Sequence, residues 1–221
     1  MIAADIAFAE SATATLGIGQ DVHLDVSREE EWEQLADRMA PLDLLVACAG
    51  ICDAKAIAET SLGDWRRVFA VNLDGAFLSV KYGAKAMQER GGGVIVLVGS
   101  ASGVKASPGA AAYCTSKAAL RMLARTAALE LKQQAIRVNC VSPAAVVTPM
   151  WQQMPFWSEL VEKHGSEEGA WNALGGTDLA TPSIQRMAFP QEVADAILFL
   201  SCDESRHITG ADLLVDGGYS I

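Results

Sequence analysis

Tyr113 and Lys117 stand four residues apart in a stretch of helical periodicity, so both side chains project from one helix face a turn apart. A phenol with an ordinary pKa near ~10 is a poor base at neutral pH, and a neighbouring ammonium favours its phenolate. Such a tyrosine can exchange a proton with a substrate hydroxyl or carbonyl oxygen while hydride moves at carbon. The pair alone is weak evidence, because the spacing also arises by chance. Ser100 strengthens it. It follows the apolar run Val94 to Val98, at the strand end where open parallel sheets place their ligand crevice, and its hydroxyl is suited to hold the reacting oxygen. The ordinary alternative is a turn or helix-cap serine. Asn72 is a polar residue on an otherwise apolar helical stripe, and a buried amide must find partners: either main chain, or a water and Lys117 in a proton relay.

The elements that must carry these residues alternate along the chain. Short apolar runs are expected as strands at Ile2 to Ala4, Val22 to Leu24, Leu42 to Ala47, Gly93 to Val98, Ile136 to Val141 and Ala211 to Val215. Most lack in/out alternation, as strands do when helices cover both faces of a parallel sheet. Helical segments are expected near 28–39, 62–89, 109–133 and 190–202. In the second, Trp65, Phe69, Leu73, Ala76, Val80, Ala84 and Met87 recur at three or four residues as one apolar stripe. Ser27 and Glu30 are spaced as a capping box for the first helix, and Gly91-Gly92-Gly93 ends the second. Leu16-Gly17-Ile18-Gly19 has the look of a phosphate loop but precedes a strand, which makes it a turn. The segment 149–190 contains Trp151, Met154, Phe156, Trp157, Leu160, Trp171 and Leu174 and no strand-like run; an excursion of this length in a compact sheet is the mark of a lid.

The 221 residues, 51% of them hydrophobic, suit one α/β domain over 1–221. A formal charge of −10 excludes a phosphate backbone as partner, since nucleic-acid binding needs clustered Lys and Arg. No apolar run approaches the ~20 residues of a membrane span, and no signal-peptide pattern opens the chain, so a soluble, cytoplasmic protein is expected. Five cysteines and three histidines lack paired metal spacing; no metal is expected, and the thiols are read as reduced and mostly buried.

The chain resembles the short-chain dehydrogenase/reductase family over essentially its whole length. The resemblance lies in Leu45-Val46-Ala47-Cys48-Ala49-Gly50, Val71-Asn72-Leu73, Gly99-Ser100-Ala101-Ser102-Gly103, Tyr113-Cys114-Thr115-Ser116-Lys117, Arg137-Val138-Asn139, Ser142-Pro143 with Thr148-Pro149-Met150, and Ile208-Thr209-Gly210 with Val215-Asp216-Gly217-Gly218. It implies a doubly wound, Rossmann-like parallel sheet and a catalytic tetrad of Asn72, Ser100, Tyr113 and Lys117. It implies cofactor contacts at Asp25 and Val26 against adenine, Ala49 and Gly50 toward the ribose and pyrophosphate, and Pro143, Val146 and Thr148 at the nicotinamide, besides Tyr113 and Lys117. Asp5 follows the first strand, where a carboxylate accepts from the adenosine ribose and repels a 2′-phosphate, which favours NAD over NADP. Homodimers or homotetramers are implied, with segments 62–89 and 109–133 pairing between subunits.

The family's first strand and glycine-rich phosphate loop have no counterpart here, and the chain opens at the position of the second strand, either because the sequence is a piece of a longer enzyme or because the loss is real. Loss of that strand predicts an exposed edge or gap in the middle of the sheet. Asn-Asn-Ala-Gly is replaced by Ala47-Cys48-Ala49-Gly50, and Pro-Gly by Pro143-Ala144, which adds a methyl group beside the nicotinamide position. The leading expectation is an NAD-dependent oxidoreductase interconverting a secondary alcohol and a ketone. Tyr113 acts as acid/base, Lys117 lowers the tyrosine pKa and binds the nicotinamide ribose, Ser100 positions the substrate oxygen and Asn72 maintains the relay. The aromatic lid suggests an apolar or cyclic substrate, unless its rings only pack the lid onto the body or a neighbouring subunit. The alternative is a catalytically silent scaffold that has lost the dinucleotide loop.

Overall fold

The computed structural model describes residues 1–7, 19–39, 41–175, 184 and 186–221. In chain order the elements are β1 (Ile2–Asp5), β2 (Gln20–His23), α1 (Glu29–Met39), β3 (Leu44–Ala47), α2 (Leu62–Phe69), a π-helical turn (Ala70–Asp74), α3 (Gly75–Gln88), β4 (Gly93–Val98), a 3₁₀ turn (Ala101–Gly103), α4 (Ala111–Leu131), β5 (Ile136–Pro143), α5 (Pro149–Gln152), α6 (Trp157–His164), α7 (Glu167–Gly175), α8 (Pro190–Ser201) and β6 (Asp212–Val215). The expected strands and helices are all present, with boundaries shifted by a few residues. Of the Leu16-Gly17-Ile18-Gly19 turn, the first three residues lie outside the described ones, as do 176–183 and 185 of the lid.

Among the described residues every strand pairing is parallel. The pairings make two sheets, β1-β2 and β3-β4-β5-β6. The larger is covered on both faces, which explains its unbroken apolar strands. Ile95, Leu97, Val138 and Cys140 point to α3 and α4, where they meet Ala76, Val80, Ala84, Met87, Leu120 and Ala124. Val96 and Val141, one residue out of phase, pack against Leu200 of α8. Helix α3 also spans to the smaller sheet, because Leu78, Tyr82 and Ala86 on its other side join Leu24, Trp32, Leu35 and Met39. Two glycines permit these approaches: a Cβ at Gly83 would lie 2.7 Å from a Leu45 methyl, and one at Gly75 2.7 Å from a Val26 methyl. Among the described residues β3 pairs with β4 alone, and its apolar Leu44 and Val46 stay 39% and 40% exposed.

Two local expectations change. The segment 62–89 is not one continuous helix, since the π turn widens it at Ala70–Asp74; the wider turn keeps residues four apart in line and buries Val68, Asn72 and Ala76 together. Ser27 and Glu30 do not form the capping box. Instead Ser27 donates through its amide and hydroxyl to Asp25 Oδ1, at 3.0 and 2.7 Å, while Glu31 Oε2 accepts from the Asp25 amide at 2.7 Å.

Candidate active site

Three of the candidate side chains meet at the C-terminal end of β4. The chain leaves the strand at Val98 and Gly99, and Ser100 then begins the 3₁₀ turn that leads toward α4. Ser100 is buried, and its Oγ accepts from the Ser102 amide at 3.1 Å, so it is a cap serine, as its ordinary reading held. It also stands near the Tyr113 phenol, whose anionic form it favours. Tyr113 lies in the first turn of α4, and Lys117 one turn later places its ammonium 5.7 Å from the tyrosine ring centroid. The packing is close because position 103 is glycine: a Cβ there would lie 2.8 Å from the Lys117 carbonyl carbon.

Burial sets the electrostatics. The Tyr113 phenol is pushed up to about 12 by burial, which outweighs the lowering effect of Ser100; the nearby Cys52 and Cys114 thiols push the same way as burial. The expected lowering by Lys117 therefore gives way to desolvation. Lys117 is itself 3% exposed, and burial holds its ammonium below the ordinary lysine range, opposed by the thiols of Cys140, Cys48 and Cys52. Its Nζ donates to the Val98 carbonyl at 2.8 Å.

Asn72, fully buried in the π turn, sits close by but is occupied. Its Oδ1 accepts from the Ile51 amide at 2.8 Å, and its Nδ2 donates to the Ile51 carbonyl at 3.0 Å and to Ser116 Oγ at 3.1 Å. The main-chain reading of this amide is what the geometry realises, and it ties the segment following β3 to α4. Ser116, which sequence reasoning missed, passes the link on by donating to the Tyr113 carbonyl at 2.8 Å. Its position one residue before Lys117 was the available signal, but a helical serine reads as ordinary until its partner is seen.

The cofactor candidates distribute along the strand ends. A Cβ on Gly50 would sit 3.4 Å from Lys117 Nζ and 3.5 Å from Asn72 Oδ1, which brings Gly50 to the tetrad residues; Ala49 beside it is exposed. Asp5, exposed at the end of β1, accepts from the Ala7 amide at 2.8 Å. Asp25 is engaged with Ser27, and Val26 packs on Gly75. Pro143 is buried at the end of β5, Val146 forms a bridge to Ala188, and the Thr148 hydroxyl donates to the Val146 carbonyl at 3.4 Å. Against this arrangement a dinucleotide can be tested. An ammonium carries three donors, and among the described residues the acceptor of Lys117 is the Val98 carbonyl, so ribose hydroxyls suit the remainder. The nicotinamide side of such a cofactor fits; none of the described residues forms the glycine-rich strand–turn–helix that would take a pyrophosphate.

The aromatics of the 149–190 segment turn largely toward one another. Trp157 and Trp171 are buried with ring centroids 4.4 Å apart, and with Ala170 and Met187 they form a core of their own against Ala145 and Val147. Trp151 and Phe156 pair at 6.4 Å. The five cysteines are free; Cys140 is buried and Cys48 exposed, so the thiols are less uniformly buried than expected. Among the described residues there is no cluster of metal-ligating side chains and no helix long and apolar enough to cross a membrane.

Residues 3–220 match the family described as Enoyl-(Acyl carrier protein) reductase. The chain is 37% identical over 203 residues to cyclopentanol dehydrogenase of Comamonas testosteroni, covering 90% of this chain and 76% of that one. It is 35% identical over 216 residues to trans-4-hydroxycyclohexanecarboxylate dehydrogenase of Sinomonas cyclohexanicum, covering 94% and 75%. Its fold superposes on Thermoplasma acidophilum aldohexose dehydrogenase in ligand-free form with a TM-score of 0.83 and 30% identity, over 99% of this chain and 83% of that one. The chain belongs to the short-chain dehydrogenase/reductase family, whose members are oxidoreductases that use NAD(P).

Proposed function

We propose that this protein is a dehydrogenase that interconverts a secondary, cyclic alcohol and its ketone, with Tyr113 as acid/base and NAD as the preferred cofactor. The observation that carries the reading is the convergence of Ser100, Tyr113 and Lys117 at the end of β4, with Lys117 buried and Tyr113 half-buried beside it. Bound NAD(P) supplies or accepts the hydride. The rest falls to the protein. Ser100 holds the substrate oxygen at the phenol; Tyr113 gives its proton to that oxygen in reduction and takes it back in oxidation. Lys117 binds the nicotinamide ribose and supplies positive charge beneath the phenol. Asn72 acts through structure, fixing the Ile51 segment against Ser116 and so against α4. Pro143, Val146 and Thr148 line the nicotinamide side, Ala49 and Gly50 the ribose and pyrophosphate side, and Asp25 and Val26 the adenine. The exposed carboxylate of Asp5 supports the preference for NAD, because it would repel a 2′-phosphate.

The relatives named for cyclopentanol and hydroxycyclohexanecarboxylate support a cyclic substrate. We place the protein in a homodimer or homotetramer, since α3 and α4 leave Phe77, Met122 and Leu129 at least half exposed. The test is initial-rate measurement with cyclopentanol, cyclohexanol and aldohexoses, each with NAD and NADP. Turnover of a cyclic alcohol with NAD, lowered roughly 10²–10⁴-fold by Tyr113→Phe while NADH binding by fluorescence is retained, is the expected result. Unchanged turnover in Tyr113→Phe removes the acid/base assignment.

A further inference from the structure

The turn that carries Ser100 is held at both ends, and the two holds meet at one buried carboxylate. At its start, Gly99 packs so tightly that a Cβ there would lie 2.5 Å from Ser142 Oγ and 2.7 Å from Cys140 Sγ. At its end, the Gly103 carbonyl accepts from Arg121 Nη1 at 3.1 Å. Ser142 donates to Asp212 Oδ1 at 2.6 Å, and Arg121 donates through Nε to Asp212 Oδ2. The Asp212 side chain is 6% exposed and that of Arg121 24%, so the pair is largely sealed from solvent and held in one geometry. Arg121 lies one turn beyond Lys117, on the helix that carries Tyr113.

We infer that Arg121, Asp212 and Ser142 are positioning residues that fix the Ser100 turn against α4, and thereby set the Ser100 hydroxyl at the Tyr113 phenol. The inference rests on the acid/base reading of Tyr113. Its physical content is a fork. The Arg121 guanidinium is planar and rigid, so a group docked on Asp212 has its second arm directed at Gly103 without further loss of freedom. The serine on the other carboxylate oxygen lies against the opposite end of the same turn. Asp212 therefore gives both ends of the 99–103 segment a common reference on β6, whereas the helix bearing Tyr113 is referenced to it through Arg121. A displacement on the order of 1 Å at a reacting group can cost about 10²-fold in rate. A turn tied at two points to the framework is a means of preventing it.

Arg121→Lys separates the roles. A lysine keeps the charge opposite Asp212 but, as a single ammonium on a flexible stem, lacks the fork that reaches Gly103. With the chain as it stands, kcat, cofactor KM, the isotope effect of a deuterated carbinol and melting temperature would be measured for wild type, Arg121→Lys, Ser142→Ala, Ser100→Ala and the two doubles with Ser100→Ala. The expected result is a kcat lowered about tenfold or more by each positioning variant, an unchanged cofactor KM and a larger isotope effect. In the Ser100→Ala background neither change should lower kcat further, because their effect is transmitted through Ser100. Wild-type kcat in both Arg121→Lys and Ser142→Ala, or full additivity with Ser100→Ala, overturns the inference. Should Arg121→Lys fail to fold, the Ser142→Ala cycle decides by the same criterion. Tyr113→Phe is run alongside: unchanged turnover there overturns the acid/base reading and this inference with it, whereas a Tyr113-dependent enzyme indifferent to both positioning variants overturns the inference alone.

Discussion

At the scale of the residue, burial is the dominant fact about the candidate centre. The sequence presents Tyr113 and Lys117 as a phenol and an ammonium one turn apart, and the simplest electrostatics of that pair lowers the phenol. The fold instead desolvates both, in opposite senses: it raises the Tyr113 phenol to about 12 and lowers the Lys117 ammonium below the ordinary lysine range. The sign for activity follows. Alcohol oxidation needs the phenol in its base form, which becomes more populated as pH rises toward 12; ketone reduction uses the protonated form already present. Oxidation rates are therefore expected to climb with pH, by up to about tenfold per unit where the free phenol alone governs them, and reduction rates to show no such climb. Initial rates in both directions over a common set of buffers check this; an oxidation rate flat above neutrality would exclude a phenol poised so high. The sign for stability is separate. Tyr113, raised in the folded state, contributes stability that is intact below the ordinary tyrosine pKa and lost as pH rises toward 12.

Elements bring these residues together through places where regular structure is interrupted. The π turn at Ala70–Asp74 points Asn72 inward on the same line as Val68 and Ala76, and the amide then completes the hydrogen bonding of Ile51. The 3₁₀ turn after β4 brings Ser100 onto α4 through Gly103. In Gly103→Ala the new methyl would meet helix main chain at 2.8–3.0 Å, which cannot rotate aside as a side chain would. Overpacking of this kind costs about 1–3 kcal/mol, and relief by moving the turn would draw Ser100 from the phenol. Gly103→Ala is thus expected to lose that stability in urea titration together with most turnover. Gly91, at φ 89°, has open space around its Cβ position, so Gly91→Ala should show backbone strain of roughly 1 kcal/mol and normal turnover. Equal effects from the two substitutions would contradict this account of the turn.

The described residues form two parallel sheets drawn together by α3, with the candidate centre at the strand ends and a 149–190 segment that has its own aromatic core. Among the described residues, apolar side chains stay exposed first at the β3 edge, at Leu44 and Val46, and second on α3 and α4, where Leu129 is 68%, Met122 58% and Phe77 50% exposed. The second is the surface proposed to pair between subunits. Leu129→Glu together with Met122→Glu should convert a dimer or tetramer to a smaller species in sedimentation velocity while leaving monomer stability within about 0.5 kcal/mol, as exposed substitutions do. An unchanged sedimentation coefficient in an oligomeric protein would show that other surfaces hold it together.

Read as a string, the sequence by itself determined the element order and the parallel α/β class, and singled out Ser100, Tyr113 and Lys117 as candidates. These depend on local periodicity, on the composition of strands covered on both faces, and on residues close enough in the chain for spacing to imply position. Only the tertiary structure decided the rest, for reasons of distance and burial. Asn72 meets Ile51 and Ser116 across 21 and 44 residues, and Arg121 meets Asp212 across 91, so no local pattern announces either link. The Trp157–Trp171 contact shows that two aromatics of the 149–190 segment which could have lined a pocket are committed to packing. The rise of the Tyr113 phenol is likewise invisible in a four-residue spacing, because desolvation is produced by everything that packs around a group rather than by its neighbours along the chain.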